Sequence, residues 1–160
     1  GLKPDLRMNG AVMTYNDLRK GRVSQIGAAY HITAVARNRT PHFSSLDNGR
    51  KVVRELMKLE AEGRAETLCY LVMPDHLHWL MVLHAGKLAD AVHLLKGRSA
   101  RAIGCTVWQP NYFDHAVRQD DDLRKIARYI VANPLRANLV ERIGDYPLWD
   151  AVWLDETLSG

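Results

Sequence analysis

The chain has 160 residues, 47% hydrophobic and 25% charged, which suits one domain with a sizeable core and excludes a disordered or low-complexity protein. No apolar run reaches the length of a membrane span and no signal-peptide pattern opens the chain, so a cytoplasmic protein is expected. The net charge of +4 permits a polyanionic partner without requiring one.

Residues 1–20 show no sustained period and read as an N-terminal tail or arm, ahead of a domain over 21–153 and a C-terminal tail over 154–160. Tyr30 to Arg37, "YHITAVAR", is rich in β-branched and aromatic residues and predicts a first strand. Pro41 and Asn48-Gly49 punctuate a loop. Arg50 to Gly63 then predicts an amphipathic helix with Val53, Leu56, Met57 and Leu59 near one face, stopped by Gly63.

"ETLCYLVMP" and "HLHWLMVL" predict two strands joined at Pro74-Asp75, a connection short enough to imply an antiparallel hairpin. A second helix runs from Lys87 to about Ile103. Tyr112 to Arg118 predicts a fourth strand, and "DDDL" opens a helix that continues through "RKIARYIVAN" until Pro134 interferes. A short piece and a Trp-rich tail follow. Cys69 and Cys105 read as buried free thiols. The order β-α-β-β-α-β-α predicts an α+β fold: a ferredoxin-like antiparallel sheet with packed helices, plus an additional C-terminal helix.

His76 and His78 interrupt a very apolar strand. Side chains alternate faces along a strand, so both imidazoles point one way, about 6–7 Å apart, and Leu77, Trp79 and Met81 point to the core. Such a pair can converge on one metal ion, or be two separate surface histidines. On the last helix Leu123, Ile126 and Ile130 form a stripe, with Tyr129 and Asn133 one turn apart beside it. They can look into a shared site; equally, they can be an interfacial tyrosine and a helix-ending asparagine.

Together these segments resemble a known family. "HLHWL" resembles the histidine–hydrophobic–histidine (HUH) motif of single-strand DNA nucleases, and "RYIVANPLRANLV" is similar to the tyrosine motif of REP-associated tyrosine transposases, in the HUH single-tyrosine superfamily. "MPDHLHWL", "LKGRSAR" and "VWQPNYFDHAVR" keep the same order, and the resemblance covers roughly Lys20 to Trp153. It implies a metal-dependent endonuclease and strand transferase that binds REP-like palindromic hairpins and cleaves single-stranded DNA. His76 and His78 would be metal ligands, Asn133 the third, and Tyr129 the nucleophile of the additional helix. The cofactor would be Mg²⁺ or Mn²⁺. The protein would act as monomer or homodimer, since in some relatives the tyrosine helix serves the partner's site. A catalytically silent DNA-binding module and a water-using phosphodiesterase are the alternatives.

The chemistry suits these residues. Two neutral imidazoles and an amide oxygen add no negative charge, so a bound cation stays electrophilic toward a phosphodiester. A phenol, with a pKa of about 10, needs activation, but its phosphodiester is reversible and suits strand transfer. Tyr112 and Tyr70 are rival nucleophiles by type, without a ligand partner at i+4. Arg19, Lys20 and Arg22 in the arm and Lys96, Arg98 and Arg101 on the second helix are candidate DNA contacts, with Tyr30 and Trp108 for stacking. His115 is a candidate near the site. His31 reads as structural.

Overall fold

The computed structural model describes residues 7–8, 11–12, 24–118 and 121–154. Arg19, Lys20 and Arg22 lie outside the described residues. Two short strands, β1 (Arg7–Met8) and β2 (Ala11–Val12), pair antiparallel in a sheet of their own. The main sheet contains β3 (Ala29–Val35), β4 (Ala65–Met73), β5 (His76–Leu83), β6 (Phe113–Ala116) and β7 (Trp149–Ala151). Its order is β6-β3-β5-β4-β7, with every neighbouring pair antiparallel.

Helix α1 (Leu46–Ala61) joins β3 to β4, α2 (Leu88–Ile103) joins β5 to β6, and α3 (Leu123–Val131) follows β6. The predicted ferredoxin-like α+β sandwich is thus present, with β7 added beyond the β4 edge. The Pro74-Asp75 hairpin is present as well: Ala36 N–H donates to the Asp75 carbonyl at 2.9 Å and Phe43 N–H to that of Pro74 at 3.0 Å.

Both faces of the sheet are covered. Ile32, Ala34, Leu77, Trp79 and Met81 pack with Val52, Leu56 and Leu59 of α1 and Val92 and Leu95 of α2. Cys69, Leu71, Met73 and Leu80 pack with Ala127, Ile130 and Val131 of α3 on the opposite face. A bulge between Thr67 and Cys69 resets the alternation of β4. It leaves Thr67 where its hydroxyl accepts the Trp79 indole N–H at 2.9 Å, while Cys69 turns toward α3. The strand alternation predicted for β5 therefore decides which of its residues meet α3.

Several boundaries differ from the sequence reading. Helix α1 begins four residues before Arg50 because the Ser45 hydroxyl caps it, accepting from the Asn48 N–H at 3.3 Å. Gly49 is thus helical, and Leu148 packs where its side chain would be. Val52, not Met57, is buried on α1, because the inward stripe runs through Val52, Leu56 and Leu59 while Met57 is exposed. Gly63 does follow the helix, at φ +73°. Strand β7 emerges from the Trp-rich tail and pairs with Cys69–Leu71 of β4. Cys105 is exposed rather than buried, while Cys69 is buried and its thiol is pushed up to about 12 by burial and by Asp150.

Candidate active site

His76 and His78 open β5 on the face covered by α3, as the alternation requires. His78 is fully buried and His76 nearly so. Their ring centroids stand 5.0 Å apart, edge to face. The Nδ1 of His76 meets the Asp75 carboxylate at 2.8 Å, and its Nε2 is buried without a hydrogen-bond partner. A buried imidazole nitrogen without a partner is costly, and a cation ligated there would satisfy it.

Asn133 reaches the same place from the helix above. Pro134 has no N–H to offer the Ile130 carbonyl four residues back, so α3 breaks at Ala132 and a short helix, α4 (Asn133–Arg136), restarts with the proline in its first turn. The Asn133 side chain takes over, its Nδ2 donating to the Ile130 carbonyl at 3.2 Å. The same Nδ2 stands 3.3 Å from His78 Nε2 of the same chain. The amide nitrogen, not the oxygen expected of a ligand, faces His78 in this structure. Half a turn of the carboxamide exchanges the two.

Among the described residues no three histidine, cysteine, aspartate or glutamate side chains are grouped to hold a metal ion. Two histidines and an amide are therefore the donor set present, and the unpartnered His76 Nε2 fits it to a divalent cation. Burial, opposed by the Asp75 hydrogen bond, lowers the pKa of His76. Burial, then His31, His76 and the Arg136 charge, hold His78 well below the usual imidazole range. Both rings are neutral near pH 7, the state a metal ligand needs.

Tyr129 projects from α3 one turn before Asn133 and is 57% exposed. The Arg136 guanidinium lies 4.2 Å from its ring centroid and donates to the Tyr129 carbonyl at 2.8 Å. A guanidinium stacked on an exposed phenol keeps its positive charge at the surface of the helix, one turn before Asn133. The rival phenols are placed elsewhere. Tyr112 is buried, with the Lys96 amine 5.7 Å from its ring centroid, and Tyr70 packs against the α1–α2 core, its pKa raised by burial and by Asp150 and Cys69.

Sequence reasoning missed four neighbours. Asp75, read as turn punctuation, bonds His76 and is itself held by the Arg39 guanidinium at 3.2 Å. Burial works to raise the Asp75 carboxyl, but the hydrogen bonds and charges of His76 and Arg39 outweigh it and lower its pKa. Arg39 adopts φ +52°, a strained conformation for a side-chain-bearing residue and a signal of a functional constraint. Arg136 lay inside the quoted tyrosine motif without being singled out. His31, read as structural, has its Nε2 3.0 Å from His78 Nδ1. His115 stands opposite His31 on β6, one strand further out.

The basic residues of α2 are not brought to the histidines, since α2 packs on the other face of the sheet. Lys96, expected to contact DNA, is a buried residue whose amine donates to the Gln109 and Asn111 carbonyls at 2.9 and 2.8 Å. Arg98 is engaged by Glu62 at 3.0 and 3.1 Å, while Arg101 is exposed at the end of α2. Tyr30 and Trp108, expected to stack on bases, are buried in the core.

Residues 24–133 match the family described as Transposase IS200 like. A REP-associated tyrosine transposase of Escherichia coli K12 is 26% identical over 125 residues, covering 76% of this chain and 74% of its own. A Haemophilus influenzae protein provisionally given the same description is 28% identical over 139 residues, covering 76% of this chain and 78% of its own. The fold is similar to that of a REP-associated tyrosine transposase solved bound to a REP hairpin, with a TM-score of 0.70 and 24% identity over 80% of this chain and 79% of that one.

Proposed function

This chain belongs to the IS200-like transposase family, and we propose that it is a metal-dependent endonuclease and strand transferase that binds REP-like hairpins and cuts single-stranded DNA through a 5′-phosphotyrosine. One observation carries the reading: a buried His76 Nε2 with no partner lies on the strand face where His78 meets Asn133, under the helix that carries an exposed tyrosine. The solved relative is bound to a REP hairpin, and the Escherichia coli relative is named for REP association, which supports the same class of DNA here.

His76 Nε2, His78 Nε2 and the Asn133 oxygen, once turned, would hold Mg²⁺ or Mn²⁺. Bound there, the cation would withdraw charge from a nonbridging phosphate oxygen. Tyr129 attacks the phosphorus. The new bond joins its phenolic oxygen to phosphorus, the bond to the 3′ oxygen breaks, and that oxygen leaves as a 3′-hydroxyl after taking a proton. The phenolic proton passes to solvent. Arg136, stacked on the attacking ring, offers guanidinium donors to the phosphate. A DNA 3′-hydroxyl can attack the phosphotyrosine and reverse the step, which is what strand transfer needs. Asn133 reaches His78 of its own chain, so one chain supplies the whole donor set. Such a protein acts in the bacterial cytoplasm on chromosomal DNA.

The test is incubation of labelled single-stranded repeat hairpins with the protein and Mg²⁺ or Mn²⁺, followed by a denaturing gel. A covalent protein–DNA adduct that maps to the Tyr129 peptide is expected. Free cut products without an adduct would instead identify a phosphodiesterase using water, and an intact hairpin a silent binding module.

A further inference from the structure

We propose that His31 is a positioning residue of this site: its Nε2 accepts the Nδ1 proton of His78 and so keeps the Nε2 of His78 bare toward its ligand. The inference rests on the metal-centre reading above and names the residue that prepares one ligand before any ion arrives.

Hydrogen bonding alone dictates the protonation states. The Ile130 carbonyl can only accept, so the Asn133 group 3.2 Å away is the NH₂. That NH₂ also stands 3.3 Å from His78 Nε2, which must then be an acceptor without a proton. A neutral imidazole carries one proton, so His78 carries it on Nδ1. Nδ1 lies 3.0 Å from His31 Nε2, which must therefore accept. The proton of His31 is left on its own Nδ1. Three side chains and one carbonyl form a single directional chain, and Pro134 starts it by removing the N–H that would otherwise satisfy Ile130.

The sheet explains why this partner comes from β3. His31 faces Leu80 of β5 in register, and Thr33 faces His78, so His31 reaches His78 diagonally on the shared face. The ring centroids stand 5.2 Å apart, tilted by 34°. His76 is held in the same sense by Asp75 on its Nδ1. Both ligands thus have their Nδ1 engaged behind them, one by a carboxylate and one by an imidazole, and their Nε2 without a proton in front, unpartnered in His76 and accepting from Asn133 in His78. A merely space-filling residue at position 31 needs no nitrogen there, whereas an acceptor turned on a ligand's far side is how metal sites fix ring orientation.

Two measurements test this. In long-range ¹H–¹⁵N spectra of the metal-free protein, His78 and His31 are both expected as Nδ1–H tautomers. An Nε2–H tautomer for His78 overturns the role of His31 and leaves the metal reading standing. Mn²⁺ affinity, measured by calorimetry on the full chain without DNA, then compares variants. His31→Leu is expected to weaken Mn²⁺ binding about 10–100-fold. His31→Gln, whose amide oxygen reaches the place of Nε2 and can accept, is expected within about threefold of the parent. Equal losses in both variants, or no loss in His31→Leu, overturn the proposal. Should His31→Leu fail to fold, the tautomer spectra and His31→Gln decide. A parent protein that binds no Mn²⁺ overturns the metal reading and the role of His31 with it.

Discussion

Replacing Tyr129 by phenylalanine deletes one oxygen, and the structure says how little else should change. The residue is 57% exposed, and among the described residues nothing hydrogen-bonds its hydroxyl. The bond from Arg136 goes to the backbone carbonyl and its stacking is on the ring face, so phenylalanine keeps both. An exposed cation–π contact contributes about 0.5–1 kcal/mol, most of which survives. The stability change should stay within about 0.5 kcal/mol, a shift in Tm below roughly 2 °C at this chain length. Hairpin affinity should hold within about twofold, since phosphate contacts supply most of it. Cleavage should fall by roughly 10⁴-fold or more, the scale seen when a nucleophile is removed. Among the described residues no other phenol can substitute: Tyr30, Tyr70 and Tyr112 pack with the core on the face away from His78, and the Tyr146 hydroxyl, raised to about 12 by burial, donates to the Val72 carbonyl at 2.7 Å. The assay is a thermal melt and a gel shift beside a denaturing gel of labelled hairpin. Retained cutting without adduct would refute the tyrosine mechanism, and an adduct on another tyrosine would refute the assignment.

Further outcomes are expected. His76→Ala and His78→Ala should each abolish cleavage while folded protein still binds the hairpin in a gel shift; parallel loss of binding would contradict the division between positioning ion and binding groups. Asn133→Ala should cost stability of about 1 kcal/mol, because the Ile130 carbonyl loses its donor, and should lower cleavage in Mg²⁺ with partial rescue by Mn²⁺; full activity in Mg²⁺ would remove it from the ligand set. Acid should destabilise the metal-free protein. Burial and the neighbouring His115 depress His31 from 6.5 to about 4, so the unfolded chain takes up a proton that the folded one refuses; the contribution is whole above about pH 6.5 and falls as pH drops toward 4, by roughly 3 kcal/mol at about 1.4 kcal/mol per pH unit. Urea melts between pH 7.5 and 4.5 would show this, and a flat profile would contradict it. Hairpin DNA should bind more tightly than blunt duplex, with affinity falling steeply as salt rises; the reverse preference in matched-salt gel shifts would count against a single-strand transposase.

Local periodicity was enough to pair the two histidines on one strand face and to place Tyr129 on the helix that ends just before Asn133. Alternation in β5 and the turn of α3 follow from backbone geometry within one segment, so any sheet and any helix would have kept them. The hairpin at Pro74-Asp75 was legible for the same reason. What faces those residues was not. His31 is 47 positions from His78 in sequence and reaches it only because β3 lies beside β5 in one particular register. Arg39 meets Asp75 only after the turn beyond β3 has wrapped onto the hairpin. By sequence Lys96 and Arg98 are candidate DNA contacts, but α2 packs on the face of the sheet away from the histidines, and the amine of a buried lysine must find acceptors wherever the fold supplies them. The direction of a side chain is a property of its own strand or helix; its neighbours are set by strand order, register and the choice of sheet face, which depend on burying apolar surface from the whole chain at once.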